Sequence, residues 1–200
     1  MHSLNEASSD DLEMTMNFEE LDQKTRKYML DEFEAEETCG KPYRSKDLSN
    51  EGLAAFPSLM RDAISNPNGN EETLAASLVK QSYWKRSENV VRKSRAYPRE
   101  IDPRVAAERL AISEFNTWYV HGFAKRLMDE GVTQCQVYRA SIPKHAPAEC
   151  SKHENQVFSV VEIYHGHRAR YWPEPGNHEA FSIPFNPNCH HSIRRVPSVS

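Results

Sequence analysis

The sequence predicts an α+β fold with a helical N-terminal half, a long central helix and a small, β-rich, zinc-stapled C-terminal module. Three observations lead there. Apolar residues recur at helical spacing through the first half. A long capped segment runs from Asp102-Pro103 to Gly131. After Gly131, short alternating segments and proline-rich loops replace the helical period, and ligand-type Cys/His pairs enter the chain.

Residues 1–16 are rich in Ser, Asp, Glu and Asn and poor in aromatics, the composition of a disordered acidic arm. Residues 17–100 then read as a helical region with a basic linker. Phe18, Leu21, Tyr28, Met29 and Phe33 mark one face of a helix over 17–37. Gly40 and Pro42 break the chain. Ser49 or Asn50 caps a second helix to about Ile64, with Leu53, Phe56, Leu59 and Met60 inward. A third runs from Glu71 to Trp84. The basic stretch from Lys85 to Glu100 reads as a linker or a basic arm; Tyr97 is its sole aromatic, which gives thin support for base stacking.

Residues 101–196 form the next unit, a helix plus a Cys/His module. Asp102 offers a capping carboxylate, and Pro103 suits the first helical position. The helix should run to about Glu130 and stop at Gly131. Ile112, Phe115, Tyr119, Phe123 and Leu127 share a face, so this longest helix is the expected spine. Three strands are predicted beyond it: CQVYRASI, VFSVVEIY and AFSIPF.

Composition narrows the classes. The hydrophobic fraction of 38% and the absence of a long apolar run exclude a membrane-spanning helix. The acidic, polar N-terminus is unlike a signal peptide, so a cytoplasmic location is expected, and the four cysteines are read as metal ligands or buried thiols rather than disulfides. Residues 1–40 hold 12 acidic and 3 basic side chains; residues 41–200 hold 17 and 22. The acidic segment reads as a solvated helix face or a contact for partners. The mild positive balance of the body does not by itself announce nucleic-acid binding.

The chemistry-bearing pattern is C-x2-H at Cys150 and His153, followed 35 residues later by C-x-H at Cys189 and His191. The first spacing lets a tight turn aim both side chains at one ion. In the second, residues i and i+2 of an extended chain share a face, while His190 points away. Two sulfurs and two nitrogens suit tetrahedral zinc. The alternatives are buried thiols with surface histidines, or completion of the site by His165 or His167.

The segment 104–195 resembles the C-terminal module of the head-morphogenesis (minor capsid) proteins of tailed bacteriophages, the phage Mu F family. Arg109 and Ser113-Glu114 fall on its helix, Gly131-Val132 follow, and Cys150 and His153 stand where that family has C-x-x-C. Asn186-Pro187-Asn188-Cys189-His190-His191-Ser192-Ile193 takes the place of its terminal motif, with Asn186 where the family has His. In each half-site the second cysteine is replaced by histidine at unchanged spacing, which keeps a zinc site viable. The resemblance implies a non-catalytic, virion-associated or prophage-encoded head protein with portal or capsid partners, in which Arg109, Glu114 and Asn188 are structural or interaction residues. Two rivals stand beside it. One is a metal-dependent nuclease of HNH or treble-clef type, using His165, His167, His190 or His191 with Asn188 as an orienting group, although no HNH spacing is present. The other is a defence- or toxin-associated interaction protein.

Overall fold

The computed structural model describes residues 15–39, 42–92, 95–142, 151–168, 182–185 and 189–197, with 89–92 and 95–96 in backbone alone. The architecture is α+β. In chain order it comprises α1 (Gln23–Thr38), α2 (Asn50–Ser65), α3 (Glu71–Leu78), a 3₁₀ turn (Gln81–Tyr83), β1 (Ser87–Arg92), β2 (Arg95–Glu100), α4 (Pro103–Asp129), β3 (Gln134–Arg139), β4 (Val157–Ser159), α5 (Val160–His165) and β5 (His191–Arg195). None of the described helices is long and apolar enough to cross a membrane.

Local chemistry sets the helix ends. Asp22, Ser49 and Asp102 accept hydrogen bonds from first-turn amides of α1, α2 and α4, and Asn70 and Thr73 close a reciprocal capping box on α3. Gly131, at φ +73°, ends α4 in the left-handed region that glycine adopts without penalty.

α4 is the spine. Phe115, Trp118, Tyr119, Phe123 and Leu127 are all buried, and α1, α3 and α5 pack along it. One apolar core runs from Met29 and Phe33 on α1, through α4, to Val137 on β3 and Ile193 on β5. Gly122 fixes how closely α1 crosses α4: a Cβ there would lie 2.5 Å from the Met29 amide nitrogen and 2.6 Å from its Cα.

Several elements differ from the sequence reading. The stretch from Lys85 to Glu100 is largely extended: Ser87–Arg92 and Arg95–Glu100 form the antiparallel β1–β2 ribbon, a two-stranded sheet of its own. VFSVVEIY is a strand only to Ser159. β3 begins at Gln134, the partner of Ser159, so the chain beyond has no ladder left to join; it coils into α5, burying Val160 and Ile163 one turn apart. Ser182–Phe185 form bends rather than a strand, and Ala180 and Phe181 lie outside the described residues. The third strand is instead β5, giving an antiparallel sheet in the order β4-β3-β5. α1 begins at Gln23, with Phe18 and Leu21 packed on the core from the turn before it. Met16, expected in a disordered arm, is buried against Tyr138 and Ala140, and Asn17 donates its amide to the Ala140 carbonyl; residues 1–14 lie outside the described residues.

The described carboxylates of the acidic segment have partners within the chain. Glu19 and Glu20 pair with Arg194 and Arg195, Asp22 with Arg126, Asp31 with Lys27, Glu32 with His121, Glu34 with Arg61, Glu36 with Arg168 and Glu37 with Arg44. Several of these pairs tie the α1 region to the rest of the fold: Glu34 to α2, Asp22 to α4, and Glu19 and Glu20 to β5, while Asp31 stays exposed beside Lys27.

Candidate functional site

Two polar clusters touch α4, one through Glu114 and one through Asn116. The first centres on Arg168, just beyond α5. Its guanidinium grips the Glu114 carboxylate through two parallel bonds of 2.9 and 2.6 Å, and both side chains are 1% exposed. The plane lies 4.6 Å from the Tyr43 ring centroid and 5.2 Å from that of Trp118, so aromatic faces cover the charge that the carboxylate neutralises. Arg168 Nε also reaches Glu36 at 3.2 Å.

Histidines extend this cluster. His167 bonds Glu36 at 3.1 Å, His121 bonds Glu32 at 2.9 Å, and the two rings stack at 3.9 Å. Glu32 and Glu36 are one turn apart on α1, which sets that spacing. Tyr164 stacks on His121 and donates to Glu32 at 3.0 Å. Burial pushes the His167 pKa down to about 3, so its ring is neutral at physiological pH. Burial pushes the Glu36 carboxyl up, but its bond to His167 and the Arg168 charge outweigh this and hold it at about 2. His121 Nδ1 and Trp118 Nε1 are the buried polar atoms of this group that lack a hydrogen bond among the described residues.

The second cluster is the expected Cys/His site. Cys189 and His191 are 1% and 3% exposed, and Cys189 Sγ lies 3.8 Å from His191 Nδ1. Ligands of tetrahedral zinc, with sulfur at about 2.3 Å and nitrogen at about 2.0–2.1 Å, stand about 3.6 Å apart. The other ring nitrogen, Nε2, faces Glu154 at 3.3 Å, the partner a metal-bound histidine commonly has. Arg139 anchors Glu154 with bonds of 2.6 and 3.1 Å and also reaches Ser151, so the 151–154 turn sits beside His191. This chemistry fits zinc at two ligands. Cys150, which immediately precedes that turn, lies outside the described residues, as does Asn188. His153 packs near Phe185 and Phe158, and among the described residues no three Cys, His, Asp or Glu side chains converge on one point that could hold a metal.

The other candidates are dispersed. His165 is exposed beside Tyr164, and His167 is committed to Glu36 and His121, so neither is brought to Cys189. His190 turns to Ser141, with Nδ1 2.5 Å from the hydroxyl, away from the contacts of Cys189 and His191. Glu114 is buried, unlike an ordinary surface helix residue. Arg109 is exposed and borders a cleft of about 530 Å³ together with Lys46, Asp47, Trp84, Glu88 and Arg99. The sequence reading did not single out Arg168, Glu36, His121 or Glu154: each meets its partner across the fold, at separations that carry no local period.

No family model, no curated protein and no solved structure matches this chain.

Proposed function

We propose that the chain is a non-enzymatic assembly protein, a minor head protein of tailed-phage type, whose C-terminal module is stapled by one zinc ion through Cys150, His153, Cys189 and His191. One observation carries this reading. The last three residues of the segment matched to the family's terminal motif, His191, Ser192 and Ile193, open β5, and Asn116 of α4 donates to the His191 carbonyl at 2.8 Å. Cys189 Sγ and His191 Nδ1 there keep a zinc-like separation, with Glu154 behind the ring. The long helix bearing Glu114, the glycine stop and the strand after it follow one another along the chain in the order the resemblance implies.

In this reading zinc supplies folding free energy rather than chemistry, because four protein ligands leave no open position for substrate. Glu154 orients the His191 ring, and the Glu114–Arg168 pair fixes α5 against α4. Portal or capsid proteins are the expected partners. Two measurements test the proposal. Purified full-length protein should contain one zinc per chain, and deletion of the gene from an inducible prophage should yield defective heads by electron microscopy. Metal-dependent nicking of plasmid by the wild-type protein, abolished in a still-folded His190→Ala variant, would replace this reading with the nuclease.

A further inference from the structure

We propose that the cleft between the start of α1 and the end of α2 binds a small organic carboxylate, with Arg26 as its anchor. The cleft has a volume of about 510 Å³, within the range of small-molecule sites. Arg26 borders it and is 8% exposed. A buried guanidinium ordinarily sits beside a carboxylate, as Arg168 sits beside Glu114. Arg26 takes part in no ion pair among the described residues.

The protein partners of Arg26 leave donors over. Nη1 donates to the carbonyls of Ala63 and Ile64, at 3.4 and 3.1 Å, and Nη2 to that of Gly69 at 2.6 Å. Three carbonyls engage at most three of the five guanidinium N–H groups. Nε has no acceptor among the described residues, and it is not shut off from water. The carbonyls bring only partial negative charge, so a full positive charge stays under-compensated beside the cleft.

The surroundings suit an anion with an apolar body. Gln23 opens α1 at the cleft, where the helix dipole is positive, and no acidic residue lies in that first turn. Asp22 also borders the cleft, but its carboxylate is engaged by Arg126 Nη1 at 2.8 and 2.9 Å and by the Thr25 amide at 2.8 Å. Lys27 pairs with Asp31 and both are well exposed, a pairing weak enough for the ammonium to turn to a ligand in the cleft. Leu21, Leu30 and Pro67 supply apolar walls. One buried cation and one helix end match the single charge of a carboxylate, whose two oxygens suit the planar guanidinium. The apolar walls suit a short hydrocarbon chain attached to it. The zinc and head-assembly reading rests on other residues, so either can fail alone.

Heteronuclear NMR of the full chain tests this with hexanoate as the probe, following the Arg26 Nε–H resonance. In wild type that resonance should move saturably, with a dissociation constant of about 1 mM, and hexanol should leave it in place. Gln23→Glu puts a carboxylate at the cleft yet suits the first turn of a helix. It should weaken hexanoate binding about fivefold, with a melting temperature no lower than wild type. The proposal is overturned by no saturable movement with hexanoate, by equal movement with hexanol, or by movement with inorganic phosphate but none with hexanoate. Hexanoate binding as tight in folded Gln23→Glu as in wild type would overturn it too.

Discussion

The Arg168 and Cys189 clusters each touch α4, through Glu114 and through Asn116, and are completed to different degrees. At Arg168 the chain supplies both charges and the covering aromatic faces: Glu114 takes two guanidinium donors, Glu36 a third, and Tyr43 and Trp118 shield the plane. At Cys189 the described residues supply a thiol, a ring nitrogen at ligand separation and a carboxylate behind the ring, but no third ligand. The first cluster is a lock made wholly of protein. The second holds two ligand-type groups, and under the zinc proposal an ion with Cys150 and His153 would complete it.

The largest effect should come from breaking the protein-only lock. Glu114→Ala leaves the buried Arg168 cation with only its single bond to Glu36, a loss of about 3–5 kcal/mol measurable by urea denaturation. Glu114→Met/Arg168→Met should recover most of it, because replacing both partners removes the stranded charge. A single variant as stable as wild type would show that the buried pair carries no such weight.

Gly122→Ala perturbs the α1–α4 crossing, from which Glu36 and Glu114 reach Arg168. The added methyl meets the Met29 backbone, so α1 must shift, at a cost of about 1–3 kcal/mol. A calorimetric melting temperature equal to wild type would mean that the helices separate freely at this crossing.

The Cys189 cluster is sharpened by metal titration. Glu154→Gln should weaken zinc affinity about 10- to 100-fold without unfolding metal-free protein, as expected when the carboxylate behind a histidine ligand is neutralised. The same substitution should leave the Arg168 cluster untouched. Unchanged affinity in a competition titration would remove Glu154 from the site.

Acid should separate the clusters further. His167 is held neutral, with its folded pKa depressed from 6.5 to about 3, so its contribution is complete above 6.5 and is lost as pH falls toward 3. Glu36 is depressed from 4.5 to about 2, and its contribution is lost as pH falls from 4.5 toward 2. Stability should therefore decline from pH 6.5 downward, and His167→Gln should flatten the upper part of that decline. A melting temperature constant between pH 6.5 and 4 would contradict the burial of a neutral His167.

What the sequence revealed was local. Asp102-Pro103 and Gly131 bracket α4 because caps and stops act within one turn, and the i, i+4 spacing of Phe115, Tyr119 and Phe123 reports the face those residues bury. Cys189 and His191 were legible for the same reason: alternation on an extended backbone is a two-residue rule. Arg168, in contrast, meets Glu114 and Glu36 from distant parts of the chain, and nothing around His-Arg-Ala-Arg signals that one arginine is buried. The turn from β4 into α5 was hidden because VFSVVEIY is β-branched and aromatic throughout; the end of β3, not local propensity, determines where the strand stops.

Asn116 and β5 carry a consequence for the order of assembly. Arg139 pairs with His191, so the whole stretch from 140 to 190 separates two neighbours in one sheet. α1 and α4 meet across a still longer separation, Asp22 and Arg126 lying 104 residues apart. Non-local pairings must close a long loop before their contacts reward it, so the β3 edge stays open until β5 arrives. During that interval another copy's β5 offers the same ladder, the route by which proteins exchange strands and form swapped dimers. Refolding yield should accordingly fall as protein concentration rises, and an ion that clasps Cys189 to the 151–154 turn would shorten the effective loop and close that window sooner.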